Sequence, residues 1–234
     1  MKLDNATVLV TGANRGIGLA FARTLLARGA RKVYAGARQP DSIVQAGLTP
    51  LRLDVTSDAD VAAAVQAAGD VDLVINNAGI AITGSFLADA AEANLRQHLE
   101  VNVFGTLRVS RAFAPVLARN GGGALLNVAS IASWISGPLL ANYAVSKSAA
   151  WSLSNGLRND LRGQGTQVLT LHMGFVDTAL THGIDAPKST PEAIVERALD
   201  ALEAGADEVL ADELTQQVKR GLAAEPAVYL QPRG

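Results

Sequence analysis

The chain has 234 residues, enough for one large α/β domain with a substantial core and too few for a second catalytic domain. Lysine plus arginine number 20 and aspartate plus glutamate 22, a net charge of −2 without a basic block, which gives no footing for a nucleic-acid backbone and directs attention to a small-molecule substrate. Zero cysteines exclude disulfides and thiolate zinc sites, no basic-then-apolar leader opens the chain, and the 49% hydrophobic content falls in blocks shorter than the ~18 residues of a membrane span, so a soluble, cytoplasmic protein is expected.

The amino end sets the pattern for the rest. Ala6-Thr7-Val8-Leu9-Val10-Thr11 is an apolar, β-branched run entering Gly12-Ala13-Asn14-Arg15-Gly16-Ile17-Gly18, and an amphipathic stretch follows that closes at Gly29. Strand, glycine turn and helix are predicted in that order. Gly12 permits the tight turn, Gly16 lets backbone approach a pyrophosphate, and Gly18 lets the helix lie close on the strand, while the first-turn amides point at the phosphates. The spacing Gly-x-x-x-Gly-x-Gly differs from the commoner Gly-x-Gly-x-x-Gly, and by itself it is equally compatible with ordinary turn chemistry.

Strands are expected near 7–11, 32–36, 50–54, 71–75, 124–129, 166–172 and 207–211, and helices near 16–28, 58–68, 90–118, 142–162, 191–204 and 213–223. This alternation predicts one α/β domain of the Rossmann type over residues 1–234, a doubly wound, seven-stranded parallel sheet flanked by helices. Asn120-Gly121-Gly122-Gly123 is a turn inside that domain and no linker, because the strand after it must pair in the same sheet.

Within the helix expected at 142–162, Tyr143 and Lys147 are four residues apart and share a face. A phenol titrates near pH ~10 in water, so as an acid or base at neutral pH it needs a neighbour that favours its phenolate, and a fixed ammonium is one. Alone, the pair reads equally as a helix-surface contact worth roughly a few tenths of a kcal/mol. Asn76-Asn77-Ala78-Gly79 follows the fourth strand, and Ser130 closes the run Leu125–Ala129 thirteen residues before Tyr143. Together, Thr11 to Gly18, Asn76-Asn77-Ala78-Gly79, Asn102, Ser130 and Tyr143-x-x-x-Lys147 resemble the ordered motif set of the short-chain dehydrogenase/reductase family. The resemblance runs from about Thr7 to Thr178, most of the chain.

That resemblance implies an oxidoreductase moving a hydride between a nicotinamide cofactor and a carbonyl or alcohol. It assigns the catalytic set as Asn102, Ser130, Tyr143 and Lys147. Ser130 hydrogen-bonds the carbonyl oxygen, Tyr143 gives the proton or takes it in oxidation, Lys147 lowers the tyrosine pKa and holds the nicotinamide ribose, and Asn102 links the lysine to a water relay. Ser133 and Ser136 lie close by, and only the family's spacing to the tyrosine selects Ser130. The implied cofactor contacts are Gly12, Asn14, Arg15, Gly16, Ile17 and Gly18 in the glycine loop, Asp54 and Val55 after the third strand, and Asn77, Ala78 and Gly79 after the fourth. Tyr143, Lys147, Gly174, Val176 and Thr178 complete them, and Asn76 steadies the sheet. Asp54 is also readable as a simple strand-end turn residue. Met173 stands where the family usually has a proline before the glycine, which removes a φ constraint but leaves Gly174 and Thr178.

The residue after the second strand faces the adenosine ribose, and an acid there favours NAD. Here Ala35-Gly36-Ala37-Arg38 offers no carboxylate before Asp41, and Arg38 with Arg15 can grip a 2′-phosphate, so NADP(H) is expected. The short, mostly polar segment from Ala179 to Pro191 stands where the family places its substrate lid. Ser130, Trp134, Tyr143 and Phe175, with Ile135, Leu139 and Leu140, are candidate substrate contacts, and the hydrophobic ones are equally readable as core. His98, His172 and His182 lack ligand spacing and read as structural or surface residues, so no metal is assigned. Ala112, Phe113, Val116, Trp151 and Leu157 form a candidate second apolar stripe on the two long helices, from which a homodimer or homotetramer is expected. A 3-oxoacyl-carrier-protein reductase is the alternative within the family, with Arg96, Arg108 and Arg111 as a thin basic patch for an acidic carrier. A non-catalytic dinucleotide-binding regulator is a further one, although it would normally show a broken Tyr-Lys pair.

Overall fold

Strands of a parallel sheet covered on both faces must be apolar on both, and Val8–Val10 and Leu73–Ile75 are buried without alternation. A computed structural model describes residues 1–231. Its strands β1 (Thr7–Thr11), β2 (Lys32–Ala37), β3 (Thr49–Arg52), β4 (Leu73–Asn76), β5 (Ala124–Val128), β6 (Gln167–His172) and β7 (Glu208–Leu210) form one parallel sheet in the order β3-β2-β1-β4-β5-β6-β7. The helices are α1 (Gly16–Ala27), α2 (Asp58–Ala67), α3 (Ala91–Leu99), α4 (Gly105–Arg119), α5 (Ala141–Leu161), α6 (Pro191–Glu203) and α7 (Glu213–Gly221). One face of the sheet packs on α1 and α6 through Phe21, Leu25, Ile194 and Leu199; the other packs on α2, α4 and α5 through Val61, Phe113, Leu117 and Leu157. Among the described residues no helix is long and apolar enough to cross a membrane.

The chain winds outward from β1 to β3 and then returns to start β4 on the other side of β1, where Val10 pairs with Ala35 and with Ile75. At such a reversal the connections leave in opposite directions and a crevice opens at the strands' carboxyl ends. The glycine loop after β1 and the Asn77–Gly79 segment after β4 both lie there.

Two expectations are corrected. The helix expected over 90–118 is two helices joined by a π-helical turn at Glu100–Phe104. The wider turn carries Asn102, whose Oδ1 accepts the Ile80 N–H at 2.9 Å while Nδ2 donates to the Ile80 carbonyl at 3.0 Å and to Ser146 Oγ at 2.9 Å. These bonds set the local geometry, and apolar periodicity carries no trace of a single wide turn. Phe113, Val116 and Leu157 are core residues and not an interface stripe, because α4 packs against the sheet, α2 and α5 together and needs more than one apolar side. Trp151 turns edge-on to Trp134 and His172 within the same chain, and Ala112 is half-buried. Phe104 and Val145 are left as exposed large apolar residues on this pair of elements.

Phe113→Ala should therefore lower the unfolding free energy by about 3–5 kcal/mol. Urea denaturation checks this, and the loss should not depend on protein concentration; a loss confined to dilute protein would return Phe113 to an interface.

Candidate active site

The crevice is stitched at its base by Thr11, the residue that opens the glycine-loop motif. Thr11 Oγ1 donates to the Ile75 carbonyl at 3.3 Å and accepts the N–H groups of Asn77 and Ala78, each at 3.0 Å. Asn77 Nδ2 donates back to the carbonyls of Thr11 and Gly12 at 2.9 and 3.2 Å. The two carboxyl ends are thereby locked in register. Gly18 is obligatory for this packing, since a Cβ there would lie 2.2 Å from the Gly12 oxygen. Helix α1 begins after Arg15 with no side-chain cap and no acid in its first turn, so its positive end and unpaired amides remain open to an anion.

A cleft of about 820 Å³ runs from this loop in both directions. Of the expected cofactor residues, Gly12, Asn14, Arg15, Gly16, Ile17, Arg38, Asp54, Val55, Asn77, Ala78, Gly79, Tyr143, Lys147 and Thr178 line it. Gly18 and Val176 are buried behind the wall. Gln39, Arg52 and Ile80 also line it and were not anticipated, and Ala179 and Leu180 line it from the segment expected to be the substrate lid. At the far end Arg52 pairs with Asp60 at 3.3 Å, while Arg15 and Arg38 are exposed and make no salt bridge among the described residues. Burial pulls the Asp54 carboxyl upward, but the Thr56 N–H and hydroxyl, then Arg38 and Arg52, outweigh it and hold the group below its ordinary value. This end of the cleft thus carries three arginines, Arg15, Arg38 and Arg52, against Asp54 and Asp60.

At the other end β5 delivers Ser130 in extended conformation, and a 3-10 turn at Ile131–Ser133 follows, capped by Ser130 Oγ accepting the Ala132 N–H at 3.1 Å. Helix α5 brings Tyr143 and Lys147 to the same place. Lys147 is buried, donates to the Val128 carbonyl at 2.7 Å and lies 5.6 Å from the centre of the Tyr143 ring. Burial pushes the Tyr143 phenol up to about 12, against a hydrogen bond from Ser130 that favours the phenolate. Burial also pushes Lys147 down to about 8. The hydrogen bond acting in the phenolate's favour comes from Ser130, while the Lys147 ammonium is held on the Val128 carbonyl.

Asn102 clamps Ile80, in the loop after β4. His98 clamps the same loop two residues on, with Nε2 accepting the Ile82 N–H at 2.9 Å and Nδ1 facing the Asn94 carbonyl at 2.7 Å, a pattern that assigns the proton to Nδ1. His98 and His172 are fully buried and His182 is exposed. Asn76 fills the role expected of it, donating to Ser110 Oγ at 3.0 Å and Asn127 Oδ1 at 2.8 Å. Two site expectations fail. The Gly174 N–H is taken by Asp212 Oδ2 at 2.6 Å and is not free for a cofactor amide. Trp134 and Phe175 are not on the cleft wall; the 3-10 turn swings Trp134 inward to stack on His172 at 4.1 Å.

The mouth near Tyr143 is built from loops joined by the Gly84 N–H to Leu139 carbonyl bond at 2.9 Å. Phe86, Leu87 and Leu139, on these loops, are 50%, 96% and 70% exposed, and Leu180, on the cleft wall, is 53% exposed. Phe86 and Leu87 line a hollow of about 410 Å³ together with Pro138 and Ala141.

The short chain dehydrogenase family model matches residues 6–189. A solved short chain dehydrogenase from Burkholderia cenocepacia J2315, in complex with NADP, is 37% identical, superposes with a TM-score of 0.94, and the match covers 99% of this chain and 100% of that one. Among curated proteins, the 1-deoxy-11-beta-hydroxypentalenate dehydrogenase of Streptomyces exfoliatus is 35% identical over 80% of this chain and 74% of its own. An uncharacterised oxidoreductase of Staphylococcus aureus is 31% identical over 86% and 92% respectively. With the serine, tyrosine and lysine converging at one end of a glycine-loop cleft, the chain belongs to the short-chain dehydrogenase/reductase family of oxidoreductases.

Proposed function

We propose that this oxidoreductase uses NADPH to reduce a neutral, apolar ketone or aldehyde to an alcohol, reversibly, with Ser130, Tyr143, Lys147 and Asn102 as its catalytic set. The observation that carries the reading is one cleft with Tyr143 and Lys147 at one end and two unpaired arginines at the other. The residues fit the cofactor: the uncapped start of α1 suits the pyrophosphate, Arg15 and Arg38 suit a 2′-phosphate, and the NADP complex of the Burkholderia relative supports the same choice.

The bound nicotinamide supplies the hydride. Ser130 orients the substrate carbonyl by hydrogen-bonding its oxygen, and Tyr143 gives its proton as charge develops there. A phenol held at about 12 is protonated throughout the neutral range, as a donor must be. Lys147 offers an ammonium to the ribose hydroxyls and to the phenolate left after transfer. Asn102 acts by fixing Ile80.

The apolar rim and the scarcity of cations near it support a neutral substrate. Asp89, Asp177 and Asp185 lie in the mouth segments against Lys188. Of the arginines considered for an acidic carrier, Arg96 pairs with Glu92 at 2.7 Å, and Arg108 with Asp58 and Glu100 at 2.6 and 3.1 Å. These pairings weaken the carrier-protein alternative, and the intact Tyr-Lys pair weakens that of a silent regulator.

Tyr143→Phe should keep NADPH affinity and lower turnover by ~10²-fold or more, since general acid catalysis is worth at least that; near-normal turnover would remove the tyrosine from the mechanism. Fluorescence titration should find NADPH bound more tightly than NADH, with Arg38→Asp narrowing or reversing the difference, and equal affinities in the parent protein would refute the 2′-phosphate assignment. Along a series of methyl alkyl ketones, kcat/KM should rise about three- to fourfold per methylene until the rim is covered, from the ~0.8 kcal/mol that burying each CH₂ contributes. Leu87→Ser with Leu180→Ser should flatten that slope, and a flat series in the parent would argue against an apolar substrate.

A further inference from the structure

His172 ends β6 and is fully buried. Its Nδ1 lies 3.1 Å from the backbone oxygen of Ser130, and its Nε2 lies 3.4 Å from Oε1 of Glu208 on β7. Both facing atoms are acceptors. A neutral imidazole has one N–H and one lone pair, so either tautomer would set a lone pair against an oxygen; only the doubly protonated ring donates in both directions. At 3.4 Å the Glu208 contact is longer than a hydrogen bond, and Nε2, with no hydrogen-bond partner among the described residues, faces that carboxylate as the orphaned side of a buried ring.

The Trp134 ring stacks on the imidazole at 4.1 Å and 22°, and Trp151 meets it edge-on at 6.4 Å. The His172 ring, and after it Lys219, hold the Glu208 carboxyl at about 2 against the burial that raises it. Lys219, from α7, bonds the same carboxylate at 3.0 Å and sits 4.6 Å over the Trp134 ring, so it shares the acid and opposes a second positive charge. The other charged groups nearby are engaged elsewhere: Asp212 of the α7 cap with Gly174 and Thr215, and Arg158 of α5 with Val168, Thr170 and Asp207.

The ring acts on the peptide that carries Ser130. That carbonyl also accepts the Ser133 N–H at 3.0 Å, and the flanking amides of Ala129 and Ile131 each bond, at 2.8 Å, the carbonyls of Leu171 and Met173 on either side of His172. Ser130 is therefore anchored to β6 by backbone and by imidazole.

We propose that His172 is an imidazolium bridging the Ser130 carbonyl and the Glu208 carboxylate, and that it positions the Ser130 hydroxyl for the substrate oxygen. The positioning role rests on the reading of Ser130 given above; the bridge does not. Nitrogen NMR of the labelled, unmodified protein at neutral pH should show both His172 ring nitrogens protonated, with His172→Asn supplying the assignment. A ring nitrogen with a free lone pair overturns the bridge, and this measurement needs no substrate. With NADPH and methyl hexyl ketone, His172→Phe should lower kcat about tenfold, a displacement effect on a held donor, with KM for NADPH unchanged. His172→Asn, which keeps a donor toward Ser130, should recover most of that loss. Unchanged kcat in folded His172→Phe overturns the positioning role. Full turnover in Ser130→Ala would instead refute the reading of Ser130 and leave the NMR result to stand on its own.

Discussion

Everything in this site depends on the reversal of strand order at β1 and β4. Because the chain leaves these neighbours in opposite directions, nothing covers their carboxyl ends, and the backbone there must find partners outside the sheet ladder. Thr11 and Asn77 meet that demand by exchanging side-chain bonds with each other's main chain. The Gly12 turn and the open start of α1 are held at fixed distances as a result, and Tyr143 and Lys147 reach the crevice from α5 on the far side of β4 and β5.

Burial governs the electrostatics of the catalytic end. It raises the phenol and lowers the ammonium, opposing charge on both. A neutral phenol is the resting form such a site favours, which suits proton donation. Charge at Tyr143 must therefore be stabilised by groups already fixed around it, and the polar contacts nearby are of that kind. Asn102 and His98 tie down the loop after β4, and β6 ties down the Ser130 peptide.

The glycine spacing, the alternation of strands and helices, and the four-residue interval from Tyr143 to Lys147 were legible in the sequence because each is a local pattern. Arg38 was legible for the same reason, being fixed in place by the strand that precedes it. The bonds of Thr11 to Asn77 and of Ser146 to Asn102 were not, since partners 66 and 44 residues away leave no mark beside a threonine or a serine in the chain. Trp134 was misjudged because one 3-10 turn after Ser130 decides whether it faces the cleft or the core.

The sequence by itself determined the parallel sheet, the glycine loop and the shared face of Tyr143 and Lys147, through turn chemistry, hydrophobic period and spacing along one helix, while Ser130 and Asn102 stood out only through the family resemblance. Tertiary structure alone decided which amides and charges remain available. Gly174 loses its N–H to Asp212, thirty-eight residues away, the carrier-type arginine Arg108 is matched by Asp58 and Glu100, and His172 meets Ser130 and Glu208 across three neighbouring strands. Hydrogen bonds and ion pairs of that range form only when the sheet brings distant segments within about 3 Å, and their partners leave no periodic mark on the chain.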